Sequence, residues 1–245
     1  MSLWIDDGLH KAEDGIRSFL LVGQSNMAGR GDLSKENALT APDCFMLRMG
    51  RWQKMSEPIN VDRAVTEGSC PRSGANLAAS FAAQLQKETG AKIGLIPCAD
   101  GGTRISQWQP GEVLFDHAVF QSRLAQRTST LTAILWHQGE SDCLAPERLE
   151  AYPEQFLRMM RASGMNWEIC HCSRRTGLAG KRLSRHACRT SAHIQPPTPG
   201  MGDTAATVCC GIGRWTDRPT GRSALTTEAL RTLGLRYLEA YKSLL

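Results

Sequence analysis

No stretch of the 245 residues approaches the ~18 consecutive apolar residues that a membrane span needs. The first residues, MSLWIDDGLHKAEDGIR, also lack the basic region and uninterrupted apolar stretch of an export signal. A soluble, cytoplasmic chain without a membrane partner is therefore expected. No internal repeat or simple low-complexity tract is present either, which argues against a solenoid or a tethering segment. There is no one-signed charge excess spread over the chain. The formal charge is +5, but Trp167 to Arg222 alone carries nine Lys/Arg against three Asp/Glu, so the rest is close to neutral. Such local basicity gives no field to steer nucleic acid, and no nucleic-acid partner is expected.

The chain has a hydrophobic fraction of 41% and a charged fraction of 22%, and its length suits one α/β domain over residues 1–245 with a full core. Nine cysteines would suit a disulfide framework in a small secreted chain, but without an export signal reduced thiols are expected. Apolar runs alternate with helical patterns through the first two thirds, as βαβ units around a parallel sheet require. SFLLV at Ser18 to Val22 is a short continuous run that fits a strand buried on both faces. Further strands are expected over Cys44 to Met49, Lys92 to Cys98 and Leu131 to Trp136. Helices are expected over Gly74 to Lys87, with Gly90 placed to end it, and over Val113 to Arg127 and Pro146 to Arg161. The pattern breaks after Met165. Only nine of the 56 residues from Trp167 to Arg222 are Ile, Leu, Val, Met, Phe, Trp or Tyr, with no sustained period of 2 or 3.6. From Leu225 an amphipathic terminal helix resumes.

Three polar loops follow predicted strands, and ligands of open parallel sheets bind outside the carboxyl ends of the strands. GQSNMAGRGD, Gly23 to Asp32, puts Ser25 on a turn that exposes Oγ and offers its own N–H to a developing oxyanion, with Gly23 permitting the tight turn. ADGGTRISQW, Ala99 to Trp108, offers a Gly-Gly pair with unhindered N–H groups. WHQGESD, Trp136 to Asp142, supplies Gln138, an uncharged side-chain donor. Taken singly, each has a plainer reading: a lone serine after a strand commonly caps a helix, and a glycine pair commonly turns the chain. Arg30, Arg104 and Trp108 are candidate substrate-facing residues, although Trp108 equally suits packing. His137, beside the amide donor, suits a structural role.

GQSNMAGRG, GGTRISQW and WHQGESD, in this order, resemble the SGNH-hydrolase superfamily, in particular its carbohydrate-esterase family six and sialate O-acetylesterase-like branch. The resemblance runs over roughly Ser18 to Met160 and resumes in LRTLGLRYLEAY. It implies a flavodoxin-like, three-layer α/β/α sandwich with a mostly parallel central sheet. It also implies a serine esterase that removes O-acetyl groups from carbohydrates, of acetylxylan or sialate type, through an acetyl-serine intermediate. By resemblance Ser25 is the nucleophile, its N–H with Gly102 and the Gln138 side chain form the oxyanion hole, Glu140 is an acid near the site, and Asn26 contacts substrate. The partner implied is a small-molecule or polysaccharide acetyl ester; no metal or cofactor is implied.

What this chain lacks is the base. A serine nucleophile needs a group to take its proton, and the family places an Asp-x-x-His just before the terminal helix, where Gly221 and Ala224 stand here. The genetic code relates the two. Gly221 to Leu225 can be written GGA CGA TCT GCA CTN, which from its second base reads Asp-Asp-Leu-His. Glu168 to Cys172 can be written GAA ATT TGT CAT TGT, which in the same shifted frame begins Lys-Phe-Val-Ile-Val, a buried strand. Residues from about 167 to 223 are therefore expected to be aberrant, the product of a frameshift. The rival readings are an inactive or non-catalytic sugar-binding member of the family, and a zinc cluster of Cys170, His171, Cys172, His186 and Cys188, whose C-x-C and H-x-C spacings fit zinc poorly.

Overall fold

The structure, a computed structural model, describes residues 15–60, 73–163, 166–172, 205–211 and 225–243; for 166–172 and 205–211 it describes the backbone. Strand β1 (Ile16–Gly23) is where the apolar run SFLLV falls, extended by one or two residues at each end. Side chains alternate across a strand, so Phe19 and Leu21 join the core on one face while Leu20 and Val22 join the core on the other. Both faces of β1 are thus covered.

Around it stand β2 (Cys44–Arg48), β3 (Arg51–Lys54), β4 (Lys92–Pro97), β5 (Thr130–His137), β6 (Asn166–Cys172) and β7 (Ala205–Gly211). The sheet order is β3-β2-β4-β1-β5-β7-β6. All neighbours are parallel except β2 and β3, which form an antiparallel hairpin at one edge. Helices α2 (Leu77–Thr89) and α5 (Thr227–Lys242) pack on the Phe19 face, and α3 (Val113–Ala125) and α4 (Pro146–Ala162) on the Leu20 face. This is the expected three-layer sandwich. No helix among the described residues is long and apolar enough to cross a membrane.

Two local signals explain the ends of α2. The Asn76 side chain accepts from the Ala78 N–H, and Gly90 adopts φ 67°, the left-handed C-cap its lack of a Cβ allows. Helix α5 starts at Thr226, whose hydroxyl oxygen accepts from the Ala229 N–H. It lies unusually close to α2, because a Cβ on Gly234 would sit 2.1 Å from the Leu77 carbonyl oxygen.

Two features depart from expectation. The hairpin strand β3 was not expected, its RWQK alternation being too short to stand out. The stretch read as aperiodic contributes β6 and β7, which pair with each other from Asn166↔Ala205 to Cys172↔Gly211. Strand β7 reads AATVCCG, and a count of large apolar residues passes over its Ala and Cys. The remainder of 167–223, with the Asp-x-x-His positions, lies outside the described residues; so do His186 and Cys188 and the side chains of Cys170, His171 and Cys172.

Candidate active site

The carboxyl ends of three adjacent parallel strands, β4, β1 and β5, bring the three polar loops together. Backbone hydrogen bonds tie them: Gln24 N–H to the His137 carbonyl at 2.9 Å, and Asp100 N–H to the Gly23 carbonyl at 2.9 Å. Gly23 has φ 129°, and a Cβ there would lie 2.1 Å from the His137 carbonyl oxygen, so only glycine permits the strand to turn at this point.

Ser25 opens the single-turn helix α1 (Ser25–Ala28) and is half-buried. Its N–H belongs to the first turn, for which a helix supplies no carbonyl partner. Gly102 is exposed, has φ 77°, and has nothing within 4 Å of where a Cβ would stand, so its backbone is open to an approaching group.

Loops two and three are cross-linked from below. Gln138 is 1% exposed, and its Nε2 donates to Asp142 Oδ2 at 2.6 Å and the Thr103 carbonyl at 2.9 Å, with Gln24 Oε1 at 3.2 Å. An amide nitrogen has two protons, and three acceptors already surround it. Gln138 so placed braces the three loops, and these contacts give the reading of it as an open oxyanion donor no support. Asp142 completes the brace by accepting from the Ile105 N–H at 3.0 Å.

Two further candidate substrate contacts, Trp108 and Asn26, also turn inward. Trp108, at the end of a 3₁₀ turn over Ile105–Trp108, is 1% exposed, donates its indole N–H to Thr103 Oγ1 at 3.1 Å and meets Trp136 edge-on at 5.4 Å between ring centres. It packs the core under the loop. Asn26 is fully buried: Nδ2 donates to Glu140 Oε1 at 2.8 Å and Oδ1 accepts from the Leu225 N–H at 3.2 Å. It fastens the Ser25 loop from behind. Arg104 is exposed, and Arg30, half-buried, donates to the Gly29 carbonyl at 2.7 Å.

Glu140 Oε1 also lies 3.5 Å from His137 Nε2. Burial pushes the Glu140 carboxyl up, but the hydrogen bond and attraction of His137, with the backbone and Asn26 donors, outweigh it, and the net displacement is downward. Composition gave no sign of Tyr237, whose hydroxyl reaches His137 Nδ1 at 3.0 Å from α5. Only the register of α5 against β5 brings it there. Cys44, Cys98 and Cys143 are free thiols, and burial pushes the Cys44 thiol up to about 12.

A sequence profile of the family described as "Carbohydrate esterase, sialic acid-specific acetylesterase" matches residues 16–168, more than half of the chain. The chain belongs to this family. A probable carbohydrate esterase of Arabidopsis thaliana is 34% identical over 160 residues, which cover 58% of this esterase-family chain and 61% of that relative. The sequence match thus spans less than two thirds of the relative's length. Its crystal structure superposes with a TM-score of 0.70 at 25% identity, covering 94% of this chain and 98% of the other. NanS (TM-score 0.50, 19% identity, 61% of each chain) and a carbohydrate acetylesterase of Xanthomonas citri (TM-score 0.53, 18% identity, 92% of this chain and 56% of the other) share the fold.

Proposed function

We propose that this fold is a serine acyl-transfer scaffold for O-acetyl esters of carbohydrates, with Ser25 as the nucleophile. The observation that carries the reading is the half-buried Ser25 at the start of α1, on the loop that backbone bonds tie to both neighbouring strand ends. In the reaction Ser25 Oγ attacks the acetyl carbonyl, the alcohol of the sugar leaves, and water attacks the acetyl-Ser25 ester to release acetate. The N–H groups of Ser25 and Gly102 stabilise the tetrahedral oxyanion. Gln138 and Asp142 keep the Gly102 loop at its distance, and Glu140 holds the Ser25 loop through Asn26. Arg104, exposed at the rim, and the half-buried Arg30 are candidate contacts for sugar hydroxyls.

The chain as it stands has no histidine at the family's position for the base. That position directly precedes Leu225 in sequence, and the Leu225 N–H donates to the side chain of Asn26, the residue after Ser25. We attribute its loss to a shift of reading frame from about Trp167 to Ser223. In support, the family match ends at residue 168, where the sequence pattern changes. Hydrolysis of an acetylated sugar by this chain, by a frame-restored chain and by the restored chain carrying Ser25→Ala tests both parts. Activity confined to the restored chain with Ser25 supports them; equal activity in the Ser25→Ala chain removes Ser25 from the chemistry. Reading the coding DNA tests the frame alone, and codons unable to give Asp-x-x-His in the shifted frame refute it.

A further inference from the structure

Tyr237 is fully buried in the middle of α5, and its hydroxyl donates to the Trp136 carbonyl oxygen at 2.7 Å. The hydroxyl oxygen itself lies 3.0 Å from His137 Nδ1. A phenol has one proton and a carbonyl oxygen can only accept. The proton is therefore committed to Trp136, and the bond to the imidazole runs the other way, from Nδ1–H to the phenol oxygen. This places a proton on Nδ1 and fixes the orientation of the His137 ring.

The ring so held turns Nε2 toward Glu140 Oε1, 3.5 Å away, and because a carboxylate oxygen only accepts, this contact binds when Nε2 carries a proton as well. Glu140 Oε1 in turn accepts from Asn26 Nδ2 at 2.8 Å, and Asn26 is the residue after Ser25. The far side of the Asn26 amide accepts from Leu225, two residues before α5 begins. The chain of contacts therefore leaves the terminal helix at Tyr237 and returns to its entry at Leu225, passing behind the nucleophile loop. Helix α5 has ample other anchorage: Arg231 pairs with Glu57, Ser80 Oγ donates to the Arg231 carbonyl at 2.9 Å, and Gly234 sits against Leu77. The Tyr237 hydroxyl is thus one of several groups that dock the helix, and it also reaches His137.

We infer that Tyr237 is a positioning residue for the Ser25 loop, fixing the orientation of the His137 ring with a proton on Nδ1 and, through Glu140, the orientation of the Asn26 amide behind the nucleophile. The link to acyl transfer rests on the proposed role of Ser25; the Nδ1 proton and the coupling do not.

The test is nuclear magnetic resonance on the full chain with ¹⁵N-labelled histidine and asparagine side chains. The His137 signals are assigned as those lost in His137→Asn. At neutral pH the His137 Nδ1 resonance is expected at the position of a protonated ring nitrogen. The Asn26 side-chain amide resonances are expected to shift in Tyr237→Phe and in Glu140→Gln and to stay in place in Ser80→Ala, which disturbs helix docking but not the relay. A bare Nδ1 in the unaltered chain overturns the inference without any variant. So does an Asn26 amide that ignores Tyr237→Phe, or that responds equally to Ser80→Ala. These readouts need no turnover, so a failure of the esterase assay with the resonances as expected sinks the acyl-transfer reading alone.

Discussion

The Nδ2 amide of Asn26 donates to Glu140 Oε1 at 2.8 Å, joining the loop after β1 to the loop after β5 across 114 residues of sequence. Because the carboxyl of Glu140 is held below the ordinary glutamate value of about 4.3, its bonds favour the ionised form. A depressed carboxylate adds stability above its unfolded-state pKa, and that stability is lost as pH falls through the folded-state value. Thermal melts between pH 7 and pH 3 should therefore show Glu140→Gln less stable than the parent at pH 7, with the difference narrowing below pH about 4.3. A difference independent of pH would mean the carboxylate is not the group that holds Asn26.

At Gly23 the expectation is steric. A Cβ would stand 2.1 Å from the His137 carbonyl oxygen, on a backbone of φ 129° that L-residues avoid. Gly23→Ala should cost about 1–3 kcal/mol or more, read from the urea midpoint, and should move the Ser25 loop. An unchanged midpoint would show that the two strand ends part easily.

Glu57 is a buried hub behind the site. It pairs with Arg231 of α5 and accepts the Leu39 and Asn76 N–H groups at 2.9 and 2.8 Å, its side chain being 0% exposed. Removing one partner of such a pair strands a buried charge, so Arg231→Met should destabilise by about 3–5 kcal/mol. The double variant Arg231→Met, Glu57→Leu should recover part of that loss. Equilibrium unfolding of both variants checks it.

For Gln138 the brace and the oxyanion donor predict different outcomes. Gln138→Ala leaves the Thr103 carbonyl and the Asp142 carboxylate without their buried donor, at a cost of about 1–3 kcal/mol. A donor aimed only at the transition state would leave stability untouched and lower turnover of the restored enzyme by about 10²-fold. Calorimetry of the variant decides between them.

Most of the sheet was legible in the sequence because buried parallel strands need continuous apolar runs, and SFLLV, KIGLIP and LTAILW have them. The placing of the three loops together was legible because each follows a parallel strand, and the turn at Gly23 because its backbone needs a glycine. What escaped was set by tertiary direction. Asn26, Trp108 and Gln138 carry the chemistry of ligand contacts, yet each turns inward, a choice made by partners 114, 28 and 35 residues away. Tyr237 gave no local signal at all, since an aromatic on an amphipathic helix reads as core until β5 is placed beneath it. Strand β7 was hidden because Ala and Cys form a ladder as readily as larger residues without marking a period.

The most direct test of Ser25 as nucleophile is to trap the intermediate. A frame-restored chain, mixed rapidly with an activated acetyl ester, acid-quenched and digested, should carry one acetyl group on the peptide that contains Ser25, and Ser25→Ala should carry none. An acetyl group found elsewhere, or on the same peptide in Ser25→Ala, would contradict the account.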